Sequence, residues 1–195
     1  MGVTIIATLY SYEPVIASVT KFGADRLMLL IDKEPAKEQL EAVKKVKDAL
    51  GLYVKIDVVN TEVYDIVEVA KEVVRLIDKI DKEETIHLNI SAARKTKSLG
   101  LMFAGYARSD RIDKIMYLTK EEKKAIILPK LSFSLSNTQR KVLEYLANKD
   151  FDVKVMTSAT KISRATIFKS VKELKECGFI DDANKLIDAG RIARL

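Results

Sequence analysis

Apolar positions in the first two thirds of the chain alternate between two rhythms. Short, β-branched runs at 4–9, 26–31 and 53–59, and a run through Ile86, Leu88 and Ile90, read as strands. Stripes at three- and four-residue spacing lie between them and read as helices. The first carries Val15, Ile16, Val19 and Phe22 behind Pro14 and stops at Gly23. The second runs from Pro35 to Leu50 with Leu40, Val43, Val46, Ala49 and Leu50 on one side, and stops at Gly51. The third spans 63–80 with Ile66, Val67, Ala70, Val73, Val74 and Ile77, and Asn60 or Thr61 is its expected cap. The fourth carries Leu99, Met102, Phe103 and Tyr106. Segments 114–118 and 124–128 close this part as a hairpin. Strands alternating with helices predict a parallel sheet covered on both faces, the α/β class with a Rossmann-like sheet.

Beyond a connector at 129–136 the period is helical throughout. Ser136 and Gln139 form an S-x-x-Q capping box before a helix with Val142, Leu143, Tyr145 and Leu146 as core positions. A shorter helix covers 153–159, and a third follows Ser163 with Ile167, Val171, Leu174 and Cys177 inward and Gly178 at its end. Residues 179–180 and 185–187 read as two very short strands around the polar turn 181–184, and 188–195 as a last helical turn or two. Helix, helix, turn, helix and a small hairpin spell a winged helix-turn-helix. Two domains are therefore expected, 1–130 and 135–195.

Charge sharpens the second domain. The chain carries a net +6, and residues 135–195 hold 12 basic and 8 acidic side chains, +4 of that total. Ser163 caps the third helix; Arg164, Thr166, Lys169 and Lys172 fall on or near its exposed side, where a recognition helix meets base edges and phosphates of duplex DNA. The other reading is an amphipathic helix with a solvated lysine face, and Asp181 and Asp182 in the wing oppose phosphate contact unless they point away.

In the first domain the carboxyl ends of strands are where such sheets bind ligands. Two loops there have suitable chemistry, 8–13 and 89–95. The second is the more telling: strand, small-residue turn and helix present backbone N–H groups to an anion, and Arg94 and Lys95 add cations. The same unit also serves as a plain turn in sheet building. Neither G-x-G-x-x-G after the first strand nor G-x-x-x-x-G-K-[ST] is present, which disfavours a dinucleotide dehydrogenase or a nucleoside-triphosphatase. Cys177 is the single cysteine, so an internal disulfide and a cysteine-based zinc cluster are excluded; no metal site and no cofactor are expected. His87, the single histidine, sits in a strand and reads as a packed residue. No signal peptide and no membrane span are evident, which predicts a soluble cytoplasmic protein.

The strand-loop ATLYSYEP, the strand-turn-helix IHLNISAARKTKSLGLMFAGY and the tail LSNTQRKVLEYL…ATIFKSVKELKECGFI together resemble the CRISPR-associated Rossmann-fold (CARF) regulators, in which a sensor domain precedes a winged helix. The resemblance implies a homodimer that binds a cyclic oligoadenylate, with tetra-adenylate the expected ring, across its two-fold axis. It puts Tyr10, Ser11, Asn89, Ser91, Ala92, Ala93, Arg94 and Lys95 around the ligand, and implies a ligand-responsive transcription regulator in antiviral defence. The turn commonly carries Gly-Gly in that family; Ala92-Ala93 stands here, and alanine takes φ > 0 at a cost. Two alternatives stay open: a ring nuclease, for which Ser11 and Lys95 are the available groups, and a winged-helix regulator with a different ligand or none.

Overall fold

The computed structural model describes residues 2–122, 124–129, 131, 133 and 135–195. They fall into two compact units, Met1–Ser132 and Phe133–Leu195. The expected connector includes Lys130, Ser132 and Ser134, which lie outside the described residues.

The first unit runs β1 (Val3–Thr8), α1 (Glu13–Phe22), β2 (Arg26–Asp32), α2 (Lys37–Leu50), β3 (Lys55–Thr61), α3 (Ile66–Ile77), β4 (Thr85–Asn89), α4 (Lys95–Ala107), β5 (Ile112–Leu118) and β6 (Ala125–Leu128). The six strands form one sheet in the order β3-β2-β1-β4-β5-β6. All neighbouring pairs are parallel except β5 with β6, the expected hairpin. The α/β, Rossmann-like class read from the sequence is the class observed. From β1 the chain steps outward to β2, and from β4 it steps the other way to β5. The strand order therefore reverses between β1 and β4, the place where sheets of this kind bind ligands.

Strand alternation divides the core. Ile5, Ala7, Leu9, Leu27, Leu29 and Ile31 pack with Val15 and Val19 of α1 and Ala42, Val43 and Val46 of α2. The opposite face meets α4, which packs on α3. Each of these Val, Leu or Ile side chains taken from water contributes roughly 1.5–3 kcal/mol.

Three helices differ from the periodicity reading. In α2, Leu40 and Ala49 are exposed and Gln39 is buried in their stead. In α3 the cap is Asp65, whose carboxylate accepts from the N–H groups of Val67 and Glu68; Asn60 and Thr61 are the last residues of β3, paired with Ile31 and Asp32. The helix ends at Ile77, earlier than residue 80. In α4, only Tyr106 of the expected stripe is buried; the inward face is Lys97, Gly100, Leu101, Ala104 and Gly105. Close approach explains it. A Cβ on Gly100 would lie 2.6 Å from Val69 Cβ, and one on Gly105 would lie 2.5 Å from Leu88 Cδ1. Glycines let α4 settle onto α3 and the sheet, so the larger Leu99, Met102 and Phe103 face outward or sit half-buried.

The second unit contains α5 (Asn137–Leu146), α6 (Val153–Thr160), α7 (Arg164–Glu176) and α8 (Asp188–Ala193). The capping box is present: Ser136 Oγ accepts from Gln139 N–H at 3.2 Å and Gln139 Oε1 from Ser136 N–H at 2.8 Å. Val142, Leu143, Leu146, Met156, Ile167, Val171, Leu174 and Ile180 form its core. Cys177 is exposed at the end of α7, one residue beyond the helix, rather than inward. The two expected wing strands reduce to a single antiparallel bridge, Ile180 with Leu186, around a turn with Asn184 at φ 62°.

Candidate functional site

Asn89 ends β4 and is fully buried. Its amide donates to Pro14 O at 3.1 Å and Ser18 Oγ at 2.9 Å, tying the turn to α1. Its carbonyl oxygen accepts from Ser91 N–H at 3.0 Å and from the Ser91 hydroxyl. Ser91 Oγ in turn accepts from Leu118 N–H at 2.8 Å. Both residues are thus spent inside the domain as the frame of the turn. Ala92 is buried with them, Ala93 is half-buried, and Arg94 and Lys95 are exposed. The left-handed non-glycine residues among the described residues are Lys161 and Asn184, so the Ala92-Ala93 turn does not need the conformation for which glycine is favoured.

Arg94 is the N-cap of α4 and supplies no side-chain cap. The first-turn N–H groups of that helix are therefore not accepted by the capping side chain, and they carry the positive end of the helix dipole. Lys95 occupies the first helical position. Thr96 Oγ1 donates to Val63 O at 2.7 Å, binding the start of α4 to the loop after β3.

Beneath Arg94 lies a pair that the sequence reading missed. Lys97 is 1% exposed, and its Nζ lies 2.7 Å from Asp32 Oδ1 at the end of β2. Asp32 also meets Arg94 Nε at 3.5 Å and Gln39 Nε2 at 3.4 Å. Gln39 extends the network: its Nε2 donates to Leu9 O at 2.6 Å, and its Oε1 accepts from Asp32 N–H at 3.0 Å. Burial pushes the Asp32 carboxyl up, but the Lys97 ammonium, then Gln39 and Arg94, outweigh it and hold it below the ordinary carboxylate value. Burial pushes Lys97 down against the pull of Asp32, Glu72 and Glu62. The buried ion pair thus ties the end of β2 to α4, and Gln39 of α2 extends the network to Leu9 just after β1. Its sequence signal was Lys97 in register with Gly100, Leu101 and Ala104, a buried face written in small residues.

Among the described residues, Tyr10 and Ser11 border one cavity and Arg94 another. The first, of about 210 Å³, is also lined by Glu13, Glu38, Glu41 and Lys45. The second, of about 330 Å³, is also lined by Asp32, Lys33, Glu34, Glu62 and Tyr64. His87 is packed as expected, edge-on to Phe22 with ring centroids 5.4 Å apart. Among the described residues no cluster of His, Cys, Asp or Glu is arranged for a metal ion, and no helix is long and apolar enough to cross a membrane.

In the second unit, Ser163 caps α7, its Oγ accepting from Thr166 N–H at 3.2 Å. Arg164, Thr166, Lys169 and Lys172 all lie on the exposed side. Lys169 and Lys172 keep loose pairs, each 3.9 Å, with Glu173 and Glu176 one turn on. Such pairs are worth a few tenths of a kcal/mol and yield easily to a phosphate. Asp181 Oδ1 accepts from Lys185 N–H at 2.7 Å, so this wing carboxylate turns into its own loop.

No curated protein matches the sequence. Solved structures share its fold. Csm6 from Enterococcus italicus, bound to cyclic hexa-2′-fluoro-hexa-dAMP, is 12% identical with a TM-score of 0.54, over 92% of this chain and 57% of its own. Can2 from Sulfobacillus thermosulfidooxidans, in complex with cyclic tetra-adenylate, is 13% identical at 0.52, over 97% and 63%. Protein VC1899 from Vibrio cholerae is 10% identical at 0.54, over 98% and 64%. The chain thus spans less than two thirds of the length of each. A family model covers more than half of the sequence, residues 2–124, and the chain belongs to that family, described as "HFX_2341_N:-like, N-terminal".

Proposed function

We propose that the chain is a ligand-responsive DNA-binding regulator of a CRISPR-Cas system, in which two sheet units share one cyclic oligoadenylate and the helical units bind duplex DNA. The observation that carries this reading is the start of α4. Arg94, Lys95 and an uncapped helix N-terminus stand together at the crevice where the strand order reverses, a place suited to an anion. The ligands of Csm6 and Can2 support a cyclic oligonucleotide as that anion. Homodimerisation fits the division of expected ligand residues between separate cavities, since a ring spanning two copies meets Arg94 and Lys95 of each. Arg164, Thr166, Lys169 and Lys172 are the duplex contacts. A ring-nuclease reading draws less support, because the cavity that Ser11 borders is lined by Tyr10, Tyr12, Glu13, Glu38, Glu41, Ala42 and Lys45 and not by Lys95.

The test is an electrophoretic mobility shift on the chain's own promoter region, with and without cyclic tetra-adenylate, with the ring recovered afterwards. The reading expects specific DNA binding whose affinity changes at least several-fold with ligand, and an intact ring. Unchanged DNA affinity together with no ring binding contradicts the sensor reading. No DNA binding at low salt contradicts the regulator reading, and a cleaved ring contradicts the binder reading.

A further inference from the structure

The cavity of about 330 Å³ at the carboxyl ends of β2 and β3 has a lining unsuited to a phosphate. Three carboxylates, Asp32, Glu34 and Glu62, stand against Lys33 and Arg94. The charge of Asp32 is already met by Lys97 and Arg94. Glu34 and Glu62 remain against Lys33, so the lining offers no surplus of positive charge for an anion.

What the lining offers is a flat face and acceptors. Tyr64 is 70% exposed, and the Arg94 guanidinium carbon lies 5.6 Å from its ring centroid. Glu62 lines the same cavity as Tyr64, and its Oε1 accepts from Val63 N–H at 3.0 Å. An aromatic ring and a guanidinium plane hold an unstacked nucleobase through its π-face. A carboxylate accepts from an exocyclic amino group and is repelled by an exocyclic carbonyl.

We propose that this cavity is a base subsite: an adenine of the ring held at Arg94 and Lys95 stacks on Tyr64 and donates its amino hydrogens to Glu62. The inference rests on the cyclic oligoadenylate reading above and adds the residues that choose the base. Arg94 serves both parts, because its guanidinium lies over Tyr64 while its backbone caps α4. Asp32 is a positioning residue for it, 3.5 Å from Nε.

The experiment is calorimetry with the full chain and two rings, cyclic tetra-adenylate and its tetra-inosinate analogue, which carries a carbonyl where adenine has the amino group. The wild type is expected to prefer the adenylate by about tenfold or more. Tyr64→Ala weakens the adenylate by about tenfold and Tyr64→Phe keeps it, since base stacking needs the ring alone. Glu62→Gln keeps the hydrogen bond to Val63 N–H and gains an amide donor, so it binds the inosinate better than the wild type does. A structural role for Glu62 does not move that preference. Equal binding of both rings, with Tyr64→Ala and Glu62→Gln unchanged, overturns the subsite and leaves ring sensing standing. Failure of the wild type to bind either ring overturns both.

Discussion

Asp32 and Lys97 give the sharpest test of how the crevice is built. Lys97 Nζ is 2.7 Å from Asp32 Oδ1, and the two side chains are 1% and 10% exposed. Removing one partner of such a pair strands a charge in low dielectric, at about 3–5 kcal/mol. The two single variants are not equivalent. Asp32→Asn takes the contacting carboxylate from the deeply buried Lys97 ammonium, and the upper part of that range applies. Lys97→Met leaves Asp32 with Arg94 at 3.5 Å and Gln39 at 3.4 Å, so about 2–3 kcal/mol is expected. For a chain of this size these losses lower Tm by roughly 5–15 °C. The double variant replaces the pair with neutral groups and returns to within about 1.5 kcal/mol of the wild type. Scanning calorimetry on the four proteins closes the cycle. Single losses below about 1 kcal/mol, or a double variant as unstable as the sum of the singles, refute the account of a coupled, buried ion pair.

Gly100→Ala sets a Cβ 2.6 Å from Val69 Cβ, an atom fixed by the α3 backbone, and costs about 1–3 kcal/mol by urea unfolding. Gly105→Ala costs less, because the Cδ1 atoms of Leu88 and Ile115 that it meets are flexible ends. His87 titrates below its ordinary value, because burial and then Lys114 disfavour the imidazolium against the pull of Asp113. The unfolded chain therefore binds the extra proton first, and His87 lowers stability as pH falls below about 6.5; His87→Leu flattens that acid limb in denaturation from pH 7 to 5. Under the proposed DNA-binding function, Lys169→Ala and Lys172→Ala are each expected to weaken binding across sequences and to reduce the slope of log affinity against log salt by about 1, measured by fluorescence anisotropy.

Much of the fold was legible in the sequence because period and punctuation agree in it. Strands such as Leu27–Ile31 are apolar on both faces, and Gly23 closes α1 in the left-handed conformation that its position suggests. The errors share a cause. Hydrophobicity marks a buried face only where side chains do the filling. In α4 the filling is done by backbone approach at Gly100 and Gly105, so the larger Leu99, Met102 and Phe103 drew attention to the wrong side. Gln39 and Lys97 are buried through partners far away in sequence, Leu9 and Asp32, which no local spacing reveals. The loops after β1 and β4 were identified from strand ends alone. The inward roles of Asn89, Ser91 and Ala92 were hidden, since a small polar residue reads the same whether it braces a turn or meets a ligand.

In the proposed function Arg94 and Lys95 of two chains answer one cyclic oligoadenylate, and titration calorimetry with cyclic tetra-adenylate tests this. The account predicts one ring per two chains, with binding weakened at least a hundredfold in the Arg94→Ala, Lys95→Ala double variant, whose four lost cations per dimer each contribute on the order of 1 kcal/mol to an anion. Absence of binding, a stoichiometry of one ring per chain, or an affinity indifferent to both substitutions contradicts it.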